Sequence, residues 1–248
     1  MNKIERFGNF SSSNIYRLMS KGRGDWSIEN VGASFKTYVK EKQREIKLQR
    51  SINIPANTRP IIWGKVIEGF VFEKKLSLDY VEMNDKGRIK HPTIDRWNGV
   101  PDLMKKDVVS DTKCPSSLIQ FCDLIDSFES VDLFKKAFPE YYWQLVSNAI
   151  LTGVDRAELI VYIPYDNELH EIMDYVADPN INTADLVPFQ WEWIFHELKG
   201  YIEDGQKLSN VPYLNSKGIY KSLNKFEFAV PEIDKKTLTE RVKLAIKS

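Results

Sequence analysis

Asp102 and Asp111 stand nine positions apart in "WNGVPDLMKKDVVSDTKCPSS" (97–117), and Lys113 follows two residues after the second. Two carboxylates and an ammonium in one short, turn-containing segment suit the hydrolysis of a phosphodiester. That reaction must neutralise a pentacovalent anionic transition state and produce a hydroxide near neutral pH. A hard divalent cation such as Mg²⁺, or Mn²⁺ in its place, does both, and it favours carboxylate and carbonyl oxygens. Asp102, Asp111 and the backbone carbonyl of Thr112 would supply those oxygens. Lys113 would orient the attacking water and stabilise charge on the phosphate. Glu68, in "WGKVIEGF", is the candidate for a third acid, with Gly64 one turn earlier on the same helical face. Singly, each residue has an ordinary structural use: a solvated helix glutamate, a turn aspartate, a surface ion pair worth little. Their joint occurrence favours the chemical reading.

The elements that must position these groups follow from local patterns. If Lys105–Lys106 forms a two-residue hairpin turn, Asp102 faces Val109, and Val109, Asp111 and Lys113 share that face. A three-residue turn would reverse the parity. "NTRPIIWGKVIEGFVFEKKL" predicts a helix, with Thr58 as a cap, Pro60 in the first turn and Trp63, Val66, Ile67, Phe70 and Val71 in one stripe. "SSSNIYRLMS" predicts a first helix ending at the "KGRGD" glycines, and residues 33–50 a long basic one. Residues 79–113 read as β-rich around a "DKG" turn. "PSSLIQFCDLIDSF" reads as a helix, and so does 139–152, which stops at Gly153. "AELIVYIP" is a buried strand. Helices over roughly 167–177 and 185–206 follow, then a tail with a loop, a strand at "KFEFAV" and a short helix. Helices around a small central sheet predict an α/β (α+β) domain.

The 248 residues allow one large domain, or one with a small appendage. Net charge is zero, but residues 1–50 carry eleven Lys/Arg against five Asp/Glu. A basic beginning beside an acidic remainder suits first helices that touch a polyanion while the centre collects metal. Two cysteines, Cys114 and Cys122, are too few for a disulfide framework or an iron–sulfur cluster. A reduced, cytoplasmic setting is expected: "MNKIERFGNF" lacks the apolar core of a signal peptide, and no apolar run is long enough to span a membrane.

The order helix-Glu, "PD", then D-x-K resembles the PD-(D/E)xK nucleases, and more narrowly the lambda-exonuclease/YqaJ-type phage recombination nucleases. The matching blocks are "WGKVIE" (63–68), "VPDL" (100–103), "SDTKCP" (110–115) and "YYWQLVSNAILTG" (141–153). "GNFSSSNIYRLMSKGRG" adds the family's first helix and basic loop, so the resemblance covers residues 8–208. It implies a restriction-endonuclease-like core over 1–208 with a C-terminal extension, 209–248, of no assigned role. It implies metal ligands at Glu68, Asp102 and Asp111, a catalytic Lys113, and Gln144 near the scissile phosphate. It places Arg23 where the family receives a terminal 5′-phosphate, a bidentate task that suits guanidinium. Ser12, Ser13, Ser116 and Ser117 either contact backbone phosphates or cap helices.

The implied activity is processive 5′→3′ degradation of double-stranded DNA ends, leaving 3′ overhangs for single-strand annealing. The implied assembly is a homotrimer around DNA, with an annealing protein as partner. An endonuclease or a cluster-carrying CRISPR-associated nuclease on the same core is the alternative, as is an inactive relative that binds DNA ends or inhibits another protein. Leu103 replaces the family's glycine after "PD", and Val146 a second glutamine. His91, His170 and His196 are too scattered for zinc, and "HELKG" lacks the second histidine of a metalloprotease helix. No G-x-x-x-x-G-K-[ST] loop or G-x-S-x-G elbow is present. Trp26, Trp97 and Trp143 adjoin the motif segments.

Overall fold

A computed structural model describes residues 7–52, 57–83, 87–181 and 186–248. The chain opens with β1 (Phe10–Ser11) and a 3₁₀ helix, Ser12–Met19, where the serine-capped pattern had predicted an α-helix. Its apolar positions Ile15 and Leu18 are buried as the spacing required, but the winding is tighter and Ser11 caps nothing with its side chain. The basic helix is α1 (Ala33–Leu48). α2 (Arg59–Val71) carries Pro60 in its first turn and buries Trp63, Val66, Ile67, Phe70 and Val71 along the predicted stripe. Thr58 precedes it without a side-chain cap, and a π-helical turn, Phe72–Leu76, extends it.

The predicted β-rich stretch is a set of short strands: β2 (Val81–Glu82), β3 (Ile89–Lys90), β4 (Trp97–Gly99), β5 (Leu103–Lys105) and β6 (Val108–Lys113). The "DKG" turn lies partly outside the described residues. Then come α3 (Leu118–Asp126), α4 (Val131–Ala137) and α5 (Pro139–Thr152), the last stopped at left-handed Gly153 as its sequence predicts. β7 (Arg156–Tyr162), α6 (Leu169–Ala177) and α7 (Pro188–Asp204) complete the stretch that carries the motifs. Residues 209–248 contribute β8 (Leu223–Ala229) and α8 (Glu232–Lys247), a longer final helix than predicted.

Five strands form one mixed sheet in the order β2-β5-β6-β7-β8; β6 and β7 are parallel and the other neighbours antiparallel. β1, β4 and β3 form a second small sheet. β7 is buried from Ala157 onward, and its period of two divides the interior. Ala157, Leu159 and Val161 enter a core with residues of α1, α5 and α8; Ile160 and Tyr162 enter another with residues of α2, α6 and α7. The architecture is thus the expected α/β arrangement of a small mixed sheet flanked by helices. β8 is built into it: Phe226 and Phe228 join Phe134 and Tyr142 in an aromatic cluster. Asp234 of α8 accepts hydrogen bonds from Tyr142 Oη and, at 2.7 Å, from Lys135 Nζ. Among the described residues no helix is long and apolar enough to cross a membrane.

The β5–β6 hairpin corrects the expected register. Leu103 pairs with Ser110, Met104 with Val109 and Lys105 with Val108, so the two-residue turn is Lys106–Asp107, one position later than expected. Lys106 takes a left-handed φ of 52° there. The constant sum moves by two, which preserves parity: continued one residue, the register sets Asp102 opposite Asp111 rather than Val109.

Candidate active site

The acids meet at the carboxyl end of β6, where α/β sheets commonly bind ligands. Val109 points into the core that contains α5, and Asp111, two residues on, takes the same side toward that helix. Asp111 is fully buried. Its Oδ1 accepts a hydrogen bond from Gln144 Nε2 at 2.6 Å, and its Oδ2 lies 2.5 Å from Lys113 Nζ. Asp102 Oδ2 accepts the backbone N–H of Thr112 at 2.9 Å, which ties the "PD" turn to the D-x-K strand. Lys113 Nζ also donates to the Thr112 carbonyl at 3.3 Å, the same oxygen expected to face a metal.

Glu68 approaches from α2 and is half-buried. A β-carbon at Gly64 would meet nothing nearer than the Cys114 carbonyl at 3.9 Å, so the protein leaves that position open beside the glutamate. Burial pushes the Glu68 carboxyl up to about 7; the negative charge of Asp111 adds to the rise, while Lys113 and Lys65 oppose it. Asp102 is raised well above the usual carboxylate range, first by burial and then by Asp111 and Glu68, against Lys113 and the Thr112 N–H. Burial disfavours the Lys113 ammonium, but Asp111, Asp102 and Glu68 outweigh it and hold the amine firmly protonated. Burial likewise pushes the Cys114 thiol well up, with Glu68 adding to it, so this cysteine is an inert neighbour.

Three acids act on one ammonium, a charge set two short of neutrality when all are ionised. Two of the acids respond by binding protons more tightly. A divalent cation would balance the set, and carboxylate and carbonyl oxygens are the donors a hard cation takes. The donor set therefore fits Mg²⁺ or Mn²⁺ in charge and chemistry. As placed, no group of three His, Cys, Asp or Glu side chains among the described residues is drawn tightly enough to hold an ion. Both oxygens of Asp111 are instead engaged by Lys113 and Gln144.

The structure adds two neighbours that the sequence reading did not assign. The Tyr141 ring lies 5.5 Å from Lys113 Nζ, and its hydroxyl accepts a hydrogen bond from Gln120 Nε2 at 3.1 Å. Tyr141 and Gln144 share a helical face at i, i+3, a spacing visible in "YYWQ". Lys65, one turn before Glu68 on α2, contributes through its charge.

The other candidates lie apart from this cluster or serve the fold. Ser12 is buried, and its hydroxyl bonds that of Ser147 at 2.9 Å, which also accepts from Trp97 Nε1. Ser12 thus packs inward and does not face a phosphate. Ser13 is exposed, with its hydroxyl 3.3 Å from that of Ser11. Ser117 caps α3 by accepting the Gln120 N–H at 3.4 Å, and Ser116 is half-buried just before it. Arg23 is exposed in the loop between Lys21 and Val31, which a short antiparallel bridge closes. Asn30 braces that loop by donating to the carbonyls of Arg23 and Asp25, at 3.1 and 2.7 Å. Arg241 of α8, fully buried beneath it, donates to the carbonyls of Ser27 and Asn30 at 3.1 and 3.3 Å and stacks on Trp26. Trp97 and Trp143 are core residues; Trp26 alone of the three is exposed, at 46%. His91 accepts the N–H groups of Thr93 and Ile94 and stacks on Trp97, a structural use.

No protein-family model and no curated protein matches the chain. Solved structures do. LHK-Exo, an alkaline exonuclease from Laribacter hongkongensis, gives a TM-score of 0.48 at 18% identity, over 82% of this chain and 96% of its own. Its complex with dAMP gives 0.49 over the same shares. A phage-related exonuclease from Haemophilus somnus 129PT gives 0.55 at 13% identity, over 96% of this chain and 92% of its own. The chain shares the mixed α/β fold of that phage-related exonuclease.

Proposed function

We propose that the chain is a metal-dependent deoxyribonuclease with a PD-(D/E)xK site, degrading linear duplex DNA in the 5′→3′ direction to leave 3′ overhangs for phage-type recombination. The observation that carries this reading is the meeting of Glu68, Asp102 and Asp111 around Lys113, from segments far apart in the chain. The fold shared with a phage-related exonuclease supports it. In this reading Mg²⁺, or Mn²⁺, is held by Glu68, Asp102, Asp111 and the Thr112 carbonyl. When bound it supplies Lewis acidity at the phosphate and a more acidic water.

The chain's own groups do the rest. The Lys113 ammonium stays charged and donates to the phosphate or to the attacking water. Glu68, whose carboxyl is raised by burial and by Asp111 in the absence of a cation, would be ionised as a ligand once the cation is held. Gln144 holds Asp111 through one amide N–H and offers the other to a phosphate oxygen. The Tyr141 face braces the lysine. DNA ends are the substrate, with Ser13 and Ser116 as backbone contacts while Ser117 caps α3; a homotrimer and a single-strand annealing protein complete the proposed assembly in the cytoplasm.

The test is incubation with 5′-phosphorylated linear duplex and with covalently closed circles, in Mg²⁺ or EDTA, following release of nucleotides from each end-labelled strand. Loss of linear DNA only, in Mg²⁺ only and from the 5′ ends, is expected. Cutting of circles would replace the exonuclease with an endonuclease, and inertness in both Mg²⁺ and Mn²⁺ would remove the enzyme.

Arg23 gives a separable expectation. A charged hydrogen bond to a terminal phosphate contributes about 1.5–3 kcal/mol, or roughly ten- to a hundredfold. Arg23→Ala is expected to lower the initial-rate preference for 5′-phosphate over 5′-hydroxyl ends by at least about tenfold. An unchanged ratio would take the end-recognition role from Arg23 and leave the nuclease intact.

A further inference from the structure

The charges of α1 are sorted by direction. Both of its acids turn toward the protein: Glu41 accepts two hydrogen bonds from Arg17, at 2.6 and 2.9 Å. Glu45, 1% exposed, takes Lys42 at 2.8 Å, the Gly8 N–H at 2.9 Å and the Ile52 N–H at 3.3 Å. Lys36, Lys40, Arg44 and Lys47 are exposed, and among the described residues none is in an ion pair. At 3.6 residues per turn these four fall within an arc of about 80°, forming one stripe about 16 Å long.

Such a stripe disfavours the isolated helix. Lys36/Lys40 and Lys40/Arg44 are like charges at i, i+4, each destabilising by about 0.2–0.5 kcal/mol. A solvated face that served stability alone would place acids among them. The stripe is instead matched to a polyanion with regularly spaced charges. Duplex DNA carries one negative charge per about 1.7 Å of its axis, so a stripe of this length meets a dense row of phosphates.

We propose that the outward face of α1 is a track for the phosphate backbone of duplex DNA, with Lys36, Lys40, Arg44 and Lys47 each neutralising one phosphate. This rests on the reading of DNA as substrate and deepens it, assigning part of the affinity to a surface outside the catalytic cluster. Four neutralised phosphates contribute about 3.6 to the slope of log affinity against log salt concentration, at about 0.9 each.

The experiment measures binding of the full chain to a fluorescent duplex in EDTA, where no cleavage is needed, across a range of salt. It compares the wild type, the variant Lys36→Gln/Lys40→Gln/Arg44→Gln/Lys47→Gln, and a control that removes equal charge elsewhere, Lys207→Gln/Lys217→Gln/Lys221→Gln/Lys225→Gln. The α1 variant is expected to lose about three to four units of slope and about tenfold or more in affinity near 0.15 M salt. The control should keep the wild-type slope, and cleavage by the α1 variant at saturating DNA should keep its rate while its KM rises. Equal slopes for the two variants, or binding of anionic vesicles in preference to DNA, would overturn the track. DNA binding with the expected slope change but no cleavage by the wild type would leave the track standing and remove the nuclease.

Discussion

Lys113→Ala is expected to lower metal-dependent cleavage by about 10²–10³-fold or more, the usual effect of removing a preorganised charge from the transition state. Lys113 Nζ is 2.5 Å from Asp111 and is held protonated by all three acids, so its charge is present throughout the working pH range. DNA binding in EDTA should change by no more than a few-fold, because one cation among many phosphate contacts is lost. Removing Lys113 also leaves the fully buried Asp111 without its ion partner. Folding of the variant is therefore checked by circular dichroism, and Lys113→Gln, closer in size, is measured beside it. Either folded variant cleaving at the wild-type rate would exclude a catalytic Lys113.

The second large effect is on stability, with a definite sign. Glu68 binds its proton more tightly in the folded chain than the ordinary value of 4.5 requires, with its carboxyl near 7. A raised folded pKa contributes stability that is intact below the unfolded value and is lost as pH rises through the folded one. For Glu68 the window runs from about 4.5 to about 7, and Asp102 acts in the same direction. Metal-free protein is accordingly expected to be less stable at pH 8 than at pH 5.5 at this site. Glu68→Gln removes the titration. Its stability relative to wild type should rise across that window by on the order of 3 kcal/mol, or roughly 6–12 °C in Tm. The variant should be stabilised and inactive together, the signature of charges kept together for function. Melting curves of both proteins at several pH values in EDTA decide it; a difference independent of pH would contradict the raised Glu68 carboxyl.

What was legible in the sequence was what local spacing controls. The stripe of α2, the Gly153 stop and the mostly apolar run of β7, broken only by Glu158, each depend on neighbours within a few turns, and the folded elements match them closely. The site was legible as an ordered series of motifs, and its parity survived the misplaced turn because a shift of two residues returns every side chain to its face. The turn's position was not legible, since Lys106 adopts a left-handed conformation uncommon for a side chain of its kind. Nor was the fate of Ser12, whose hydroxyl is drawn inward by Ser147, distant in sequence. The strand "KFEFAV" alternates plainly, yet its place beside β7 depends on pairing across about seventy residues, which no local pattern encodes. The grip of Arg241 on the Arg23 loop is of the same kind.

The central claim is that Glu68, Asp102 and Asp111 together take a divalent cation, and Mn²⁺ binding read by electron paramagnetic resonance tests it without any substrate. Saturable binding to the wild type is predicted, weakened at least about tenfold in each of Glu68→Gln, Asp102→Asn and Asp111→Asn, as expected when a ligating charge is removed. No saturable binding by the wild type, or equal affinity in all four proteins, would contradict it.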